Sequence, residues 1–159
     1  MPLYMKYGDI DGKVETAGYV KWIEVHSLQW GIGRSIASPV GSSHDREAAA
    51  PSVSGITLGK MIDVSTNKLL ENALGGGMNT KVEIALCTTG KGQLIELARF
   101  TLSNTALSGY SIASNGDRPL ESLTLNFTKV GIKYTSLNMN LDGSPAITTY
   151  DLAKQTLNG

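Results

Sequence analysis

The spacing of apolar side chains along the chain predicts a protein built mainly of β-strands. Apolar and polar residues alternate through short runs separated by turn residues, as half-buried strands require. The runs are Leu3 to Tyr7, Val20 to Ile32, Ile56 to Ile62, Val82 to Thr88, Gln93 to Leu102, Ala106 to Ala113, Leu120 to Tyr134 and Ala146 to Tyr150. Glycine-containing turns between several of them indicate that neighbouring strands are mostly joined as hairpins.

The run from Leu120 to Tyr134 changes its buried face midway. Its apolar residues are odd-numbered from Leu123 to Phe127 and even-numbered from Val130 onward. A strand that changes face at one point usually carries a bulge or bend by which it passes from one sheet into another. The pattern therefore predicts a small β-barrel of two packed, roughly orthogonal antiparallel sheets.

Helical spacing is confined to one segment, at about residues 65–74. Its leucines and Ala73 share one face, Ser65 is placed to cap the first turn, and Gly75 is placed to end the helix. A helix of two to three turns is marginal alone, so it is expected to pack its leucines against the barrel.

A long extended loop, residues 34–55, is the other unusual segment. It is rich in Ser, Gly, Ala and Pro, nearly lacks large apolar side chains, and is longer than most structureless loops in compact domains. One explanation is disorder, which this composition permits. The other is an arm that becomes ordered against a neighbouring subunit.

Length and charge narrow the class of protein. The 159 residues fit one domain, residues 1–159, with a single core. Fourteen basic residues balance fourteen acidic ones and only 18% of the chain is charged, which argues against a nucleic-acid partner or an anionic membrane surface. The sequence lacks a signal-peptide pattern and an apolar run of about 20 residues, so a soluble protein without membrane insertion is expected.

Candidate chemistry is sparse. The two histidines, His26 and His44, and the single cysteine, Cys87, are far apart and have no metal-ligand spacing. His44 lies in the long polar loop, where a catalytic group is poorly positioned, and Cys87 alternates with apolar residues as a passive thiol does. We therefore predict no enzymatic activity, no catalytic or metal site and no cofactor.

Five segments that cover nearly the whole chain carry a resemblance to a known family. They are Tyr4 to Gly12, Trp22 to Gly31, Gly59 to Ala73, Leu123 to Tyr134 and Tyr150 to Leu152. Together they resemble the Hcp (haemolysin-coregulated protein) family of tube proteins from the bacterial type VI secretion system. One departure is at the start of the helix, where the family commonly has proline and this chain has Asn67.

The resemblance implies a structural subunit rather than an enzyme. In this family six copies close into a ring, and the rings stack into a hollow column inside a contractile sheath. The implied partners are further copies of the chain, the sheath, a spike protein and small effectors carried in the bore. The implied location is the cytoplasm while the tube is assembled and the exterior or a target cell after expulsion, without a signal peptide.

The resemblance also suggests where particular residues act. The corresponding family strand lines the channel, which makes Ser27 and Gln29 candidate lumen residues, and ordinary solvent exposure is the alternative for both. Trp22 falls out of phase with Ile23 and Val25, so it is a candidate for contact between subunits, where aromatic residues are enriched.

The long loop corresponds to the family segment that takes part in contacts between stacked rings. The candidate residues for ring stacking are Arg34, Ser35, Pro39, His44, Asp45, Arg46 and Pro51. Two other classes of function stay open: a monomeric β-barrel that carries a small ligand, and an enzyme.

Overall fold

The structure, a computed structural model, describes residues 1–37, 47–137 and 143–158. These residues form fourteen strands and one helix. In chain order the elements are β1 (Leu3–Tyr7), β2 (Ile23–Val25), β3 (Ser27–Gln29), β4 (Ile32–Gly33), β5 (Ile36–Ala37), β6 (Glu47–Ala48), β7 (Ser52–Val53), β8 (Ile56–Met61), α1 (Thr66–Gly75), β9 (Thr80–Gly90), β10 (Gln93–Ala113), β11 (Leu120–Asn126), β12 (Lys129–Leu137), β13 (Gly143–Asp151) and β14 (Thr156–Leu157).

Two antiparallel sheets make up the body of the protein. Sheet A has the order β2-β1-β9-β10-β12-β13-β14, and sheet B has the order β10-β11-β8-β3. Strand β10 belongs to both sheets. The prediction of a mainly β protein with two antiparallel sheets and one short helix is confirmed. The hydrogen-bonded order remains open in the described residues, so the predicted barrel is not closed.

Both sheets share a corner. The first half of β10 pairs with β12 and the second half, from Ala106, pairs with β11. The register shifts between Leu102 and Thr105, where Asn104 has a φ of 50°. The predicted change of face between Leu120 and Tyr134 marks the same corner, because β11 lies in sheet B and β12 in sheet A. The chain breaks pairing at residues 127–128 instead of passing through a bulge.

Side chains from the facing sides of the two sheets fill the space between them. The core includes Met5, Ile84 and Leu102 from sheet A and Leu58 and Leu123 from sheet B, all with no exposed surface. Burying an aliphatic side chain of this kind stabilises the fold by roughly 1.5–3 kcal/mol. The interior is therefore a packed core.

Helix α1 lies against this core, close to its predicted position. Leu69 is fully buried, Tyr7 Oη donates a hydrogen bond of 2.7 Å to Asn72 Oδ1, and Leu74 remains 81% exposed. Ser65 occupies the N-cap position without making the predicted capping bond, since its hydroxyl donates to Asp63 Oδ1. Gly75 is the last helical residue rather than the stop.

The outer face of sheet A is covered by the segment of residues 11–22. Val14 and Tyr19 pack against Ala85 and Cys87, and Leu94 joins this second cluster. A bulge in β10 between Glu96 and Ala98 reverses the phase of the strand. Leu94 consequently faces outward, on the side of the sheet opposite to Ala98, and residues of this chain cover it.

The predicted strand from Val20 to Ile32 is broken. Its residues form β2, β3 and β4, which belong to three different sheets, with His26 between the first two. β4 starts the segment called the arm here, whose described residues are 31–37 and 47–54. Its base is the pair β4 and β7 and its next step is the pair β5 and β6. The described part of the predicted long loop is therefore a narrow paired ribbon.

Candidate functional site

Ser27 and Gln29, the candidate lumen residues, lie on the outer face of sheet B. Both are exposed, and they pair with Gly59 and Thr57 of β8. The same face continues across β11 and the second half of β10, because paired residues share a side of the sheet. Its further members are Met61, Leu120, Ser122, Thr124, Gly109, Ser111 and Ala113.

Small residues, serine and glycine, occupy the middle of the outer face of sheet B. A Cβ on Gly59 would lie 2.4 Å from Ser27 Oγ, so a larger residue there would force the Ser27 hydroxyl to rotate away. Ser27, Ser122 and Ser111 form one row across the sheet with Gly59 between them. Ser122 and Ser111 lie on neighbouring strands, at about the strand spacing of 4.8 Å, whereas Ser27 lies two strands from Ser122, at about 9.6 Å.

The arm holds the candidate stacking residues. Arg34 and Ser35 are exposed and Pro51 is half-buried. Arg34 Nε donates to the carbonyl of Ala49 at 2.9 Å, and the Ala49 amide donates to Ser35 at 2.9 Å, which fixes the two sides of the hairpin. The candidates Pro39, His44, Asp45 and Arg46 lie outside the described residues.

Beside the arm, the structure has an apolar groove of about 400 Å³. It lies between the base of the arm and the core-facing side of β12 and β13, where sheet B does not extend. The groove is lined by Trp30, Ile32, Arg34, Ala50, Pro51, Val53, Val130, Ile132, Thr148, Tyr150, Gln155 and Leu157. Ile32 and Leu157 are 59% and 66% exposed, so the apolar surface continues beyond the groove.

Trp22, the candidate for subunit contact, is half-buried on the outer face of sheet A. Its ring meets Tyr19 edge-on with centroids 5.0 Å apart, and the Arg99 guanidinium lies 5.4 Å from its centroid. Much of the ring is thus engaged within the chain. Its out-of-phase position arises because residue 22 belongs to the covering segment and precedes β2.

Arg99 also organises the charges on that face. Its guanidinium makes a two-point ion pair with Glu96, at 2.9 and 2.8 Å, and approaches Glu83 at 3.4 Å. Burial pushes the pKa of Glu96 upward, but the bonds from Arg99 and Tyr19 outweigh it and lower the pKa overall. The bulge in β10 makes the ion pair possible, because residues three apart on a regular strand point to opposite faces.

A buried charged network under sheet B is the main feature that sequence reasoning missed. The Lys60 ammonium donates to Glu121 Oε2 at 2.5 Å, to Asp63 Oδ1 at 3.0 Å and to the Met61 carbonyl at 2.9 Å. The side chains of Lys60 and Glu121 have no exposed surface and that of Asp63 is 3% exposed. Charges this deep are tolerated only when paired and hydrogen-bonded.

The network joins four elements, the first of which is β8 with Lys60. Glu121 on β11 also accepts bonds from Thr66, at the start of α1, and from Tyr110 on β10. Burial, and next the bond to Glu121, raise the pKa of Tyr110 to about 12. The signal for this network is present in the sequence, since alternation places Lys60 on the face of Leu58 and Glu121 on the face of Leu123. The pairing register that brings them together is not.

Reactive groups are few in the part of the chain that the structure describes. His26 is exposed between β2 and β3, and no three His, Cys, Asp or Glu side chains of residues 1–37, 47–137 and 143–158 converge as metal ligands. Cys87 is fully buried, and burial raises its pKa. None of the described helical structure is both long and apolar enough for a membrane span.

Comparisons with known proteins agree on one family. The family model described as "Type VI secretion system effector, Hcp" matches residues 4–134. A solved structure of a type six secretion system protein has a TM-score of 0.89 and 23% identity, covering 99% of this chain and 99% of its own. Hcp1 from Salmonella typhimurium has a TM-score of 0.77 and 20% identity, covering 98% of this chain and 97% of its own.

A type VI secretion system effector from Yersinia pestis has a TM-score of 0.68 and 21% identity, covering 94% of this chain and 98% of its own. No curated protein sequence matches the chain. At these identities the solved structures show the common fold, and the family model, which spans most of the chain, shows the family. The chain belongs to the Hcp family of type VI secretion system proteins.

Proposed function

We propose that this chain is a structural subunit of a type VI secretion inner tube, in which six copies form a ring and rings stack into a hollow column. Membership of the Hcp family is the observation that carries this proposal. The fold supports it, because sheet B has four strands and an unpaired edge at each side among the described residues, at β3 and at the second half of β10. Unpaired edges favour pairing with another chain.

Sheet B has the right size to form the wall of a wide bore. Six four-stranded sheets joined edge to edge would give about 24 strands, and at about 4.8 Å per strand the wall would have a circumference of about 115 Å. The backbone diameter would be about 37 Å, and strand tilt would widen it. A heterologous contact of this kind, in which one edge meets a different edge, closes a ring when the rotation fits.

In this arrangement the outer face of sheet B faces the bore. Ser27 and Gln29 are then lumen residues, as the resemblance implies, and small effectors would contact them. The charged outer face of sheet A, with Glu83 and Arg99, would face the contractile sheath. Contraction would expel the column with its spike, so the protein would be cytoplasmic when assembled and outside the cell afterwards.

The arm is the proposed stacking element. Arg34, Ser35 and Pro51 lie on its described part, and Ile36, which is 63% exposed, gives it an apolar side chain with little cover in the single chain. Pro39, His44, Asp45 and Arg46 belong to the same proposal. The still exposed edge of Trp22 is proposed to contact the next subunit.

Catalysis has no part in this proposal, and the Hcp family is one of structural tube proteins. A ligand-carrying barrel, the other class considered from the sequence, would need a cavity between its sheets. That space is occupied by core side chains such as Leu58 and Ile84.

A shortened arm tests the proposal. Residues 36–48 would be replaced by Asn-Gly, a favoured hairpin turn, since Ser35 and Ala49 are already hydrogen-bonded at 2.9 Å. Strands β4 and β7, at the base of the arm, remain paired in this variant, and their pairing serves as a control for folding. We expect rings of unchanged mass and loss of columns, measured by electron microscopy at high protein concentration. Columns as long and as frequent as those of the unaltered protein would refute the role of the arm.

A further inference from the structure

The outer face of sheet B differs from the rest of the surface in having no ionised side chain among its described residues. The members named above are serine, threonine, glutamine, glycine, alanine, methionine and leucine. The closest charges in the sheet, Lys60 and Glu121, point to the opposite side and are paired with each other inside the core. His26, which precedes Ser27 in the chain, is exposed between β2 and β3.

Charged side chains are gathered on the outer face of sheet A instead. Lys133 and Arg99 are cross-strand partners there, and Arg99 is bonded to Glu96 and Glu83. The two outer faces therefore offer different chemistry. A partner on sheet A meets fixed charges of both signs. A partner on sheet B meets hydroxyl, amide and backbone groups together with the uncharged apolar side chains of Met61, Leu120 and Ala113.

The hydroxyl groups of sheet B are also free to bond. Ser27, Ser111 and Ser122 donate no side-chain hydrogen bond to any described residue, although each is exposed. With Gly59 between them the surface stays flat enough for a second protein to reach several of them at once. Water-exposed hydroxyls of this kind gain partners without the desolvation cost of an ion.

We infer that the outer face of sheet B fits a partner whose contacting surface is polar and uncharged, held by hydrogen bonds with an affinity that does not depend on ionic strength. This rests on the proposed function only in placing the face inside a ring. The partner class follows from the lack of charge: an uncharged wall gives no Coulomb attraction to an acidic or a basic partner, so selection by sign is absent. A partner rich in neutral hydrogen-bonding groups is the one that this face complements.

The probe is a set of three dextrans that share one backbone and differ in the sign of their charge. Neutral dextran, carboxymethyl dextran and diethylaminoethyl dextran of equal hydrodynamic size would be mixed with rings, and the dextran that co-elutes with the rings would be measured. At about 10 mM salt the screening length is about 30 Å and spans the bore, and at about 1 M it falls to about 3 Å. For the unaltered protein we expect neutral dextran to be retained at least as well as either charged form, with less than a twofold change between the two salt concentrations.

Isosteric variants sharpen the test. Gln29→Glu adds only a charge to the proposed wall, and Gln93→Glu adds the same charge at the exposed start of β10 in sheet A. For Gln29→Glu we expect at least threefold stronger retention of the cationic dextran at low salt, lost at high salt. Gln93→Glu is expected to behave as the unaltered protein.

Three results would overturn the inference. They are retention in the unaltered protein that sorts the dextrans by sign, no retention of any dextran, and identical behaviour of Gln29→Glu and Gln93→Glu in intact rings. Failure of the tube proposal is distinguishable, because the mass of the unaltered protein would then show no rings before any dextran is added.

Discussion

Replacing Lys60 by methionine perturbs the buried network at its centre. The change keeps an unbranched side chain of similar length and removes the ammonium group that contacts Glu121 at 2.5 Å and Asp63 at 3.0 Å. Two carboxylates would then remain in the core without their cation. Asp63 Oδ2 already has no hydrogen-bond partner among the described residues, so the site has no spare donor to compensate.

The expected cost is large for a single substitution. Removing one partner of a buried ion pair typically costs about 3–5 kcal/mol, since the remaining charge stays desolvated. For a domain of this size 1 kcal/mol corresponds to roughly 2–4 °C in melting temperature, so we expect a decrease of about 6–20 °C. The double variant Lys60→Met with Glu121→Leu removes both members of the pair and should recover part of the loss, because Asp63 still lacks its cation and Tyr110 loses its acceptor.

The pH dependence separates an electrostatic effect from poor packing. Burial pushes the pKa of Asp63 upward, but hydrogen bonds from Ser65 and Lys60 outweigh it and hold the pKa below its usual 3.8. A carboxyl group whose pKa is lowered by folding stabilises the fold at pH values above its pKa in the unfolded chain. This contribution to stability is lost as the pH falls through the pKa in the folded chain. In Lys60→Met the ammonium no longer opposes the effect of burial, so the buried carboxylates are protonated more easily. Protonation removes their uncompensated charge, and the loss in free energy of unfolding should therefore become smaller as the pH falls from 7 to 5.

The assay is urea unfolding followed by circular dichroism, at one protein concentration and with the oligomer mass checked for each variant, because assembly adds to apparent stability. A deficit below about 1 kcal/mol at pH 7, or one that stays constant from pH 7 to pH 5, would show that the network does not stabilise the fold as argued.

Two further predictions concern single residues. Gly12→Ala should lower the free energy of unfolding in urea by about 1–3 kcal/mol, because the added Cβ would lie 2.2 Å from the Trp22 carbonyl oxygen. The control Gly31→Ala, which has open space around it, should change the free energy by less than about 0.5 kcal/mol. Equal effects of the two variants would contradict the close approach at Gly12. Cys87 should react with a maleimide at least a hundredfold more slowly in the folded protein than in urea, with a rate still rising beyond its ordinary pKa of 9.0, because burial raises that pKa; rapid labelling of the folded protein would contradict its burial.

Local patterns were sufficient to predict most strands and the corner. β1 has the predicted bounds Leu3–Tyr7, and the change of phase after Phe127 marks the point where the chain passes from sheet B to sheet A. These features depend on neighbours in sequence. The helix was predicted for the same reason, to within one residue at each end.

Features that depend on tertiary pairing were not predictable. The bulge beside Leu97 reverses the phase of β10, and the residue types at that point do not predict a bulge. Lys60 and Glu121 stand at the ends of two apolar faces, but only the register between β8 and β11 makes them partners. The arm reads as a loop because short ladders such as β5 with β6 lack the apolar alternation that marks a half-buried strand.

Assembly into a ring can be decided by negative-stain electron microscopy of the purified protein, combined with its mass in solution. We expect annular particles of six subunits, each of 16.9 kDa, with an open centre bounded by sheet B. Single subunits at every concentration, with no annular particles, would contradict it.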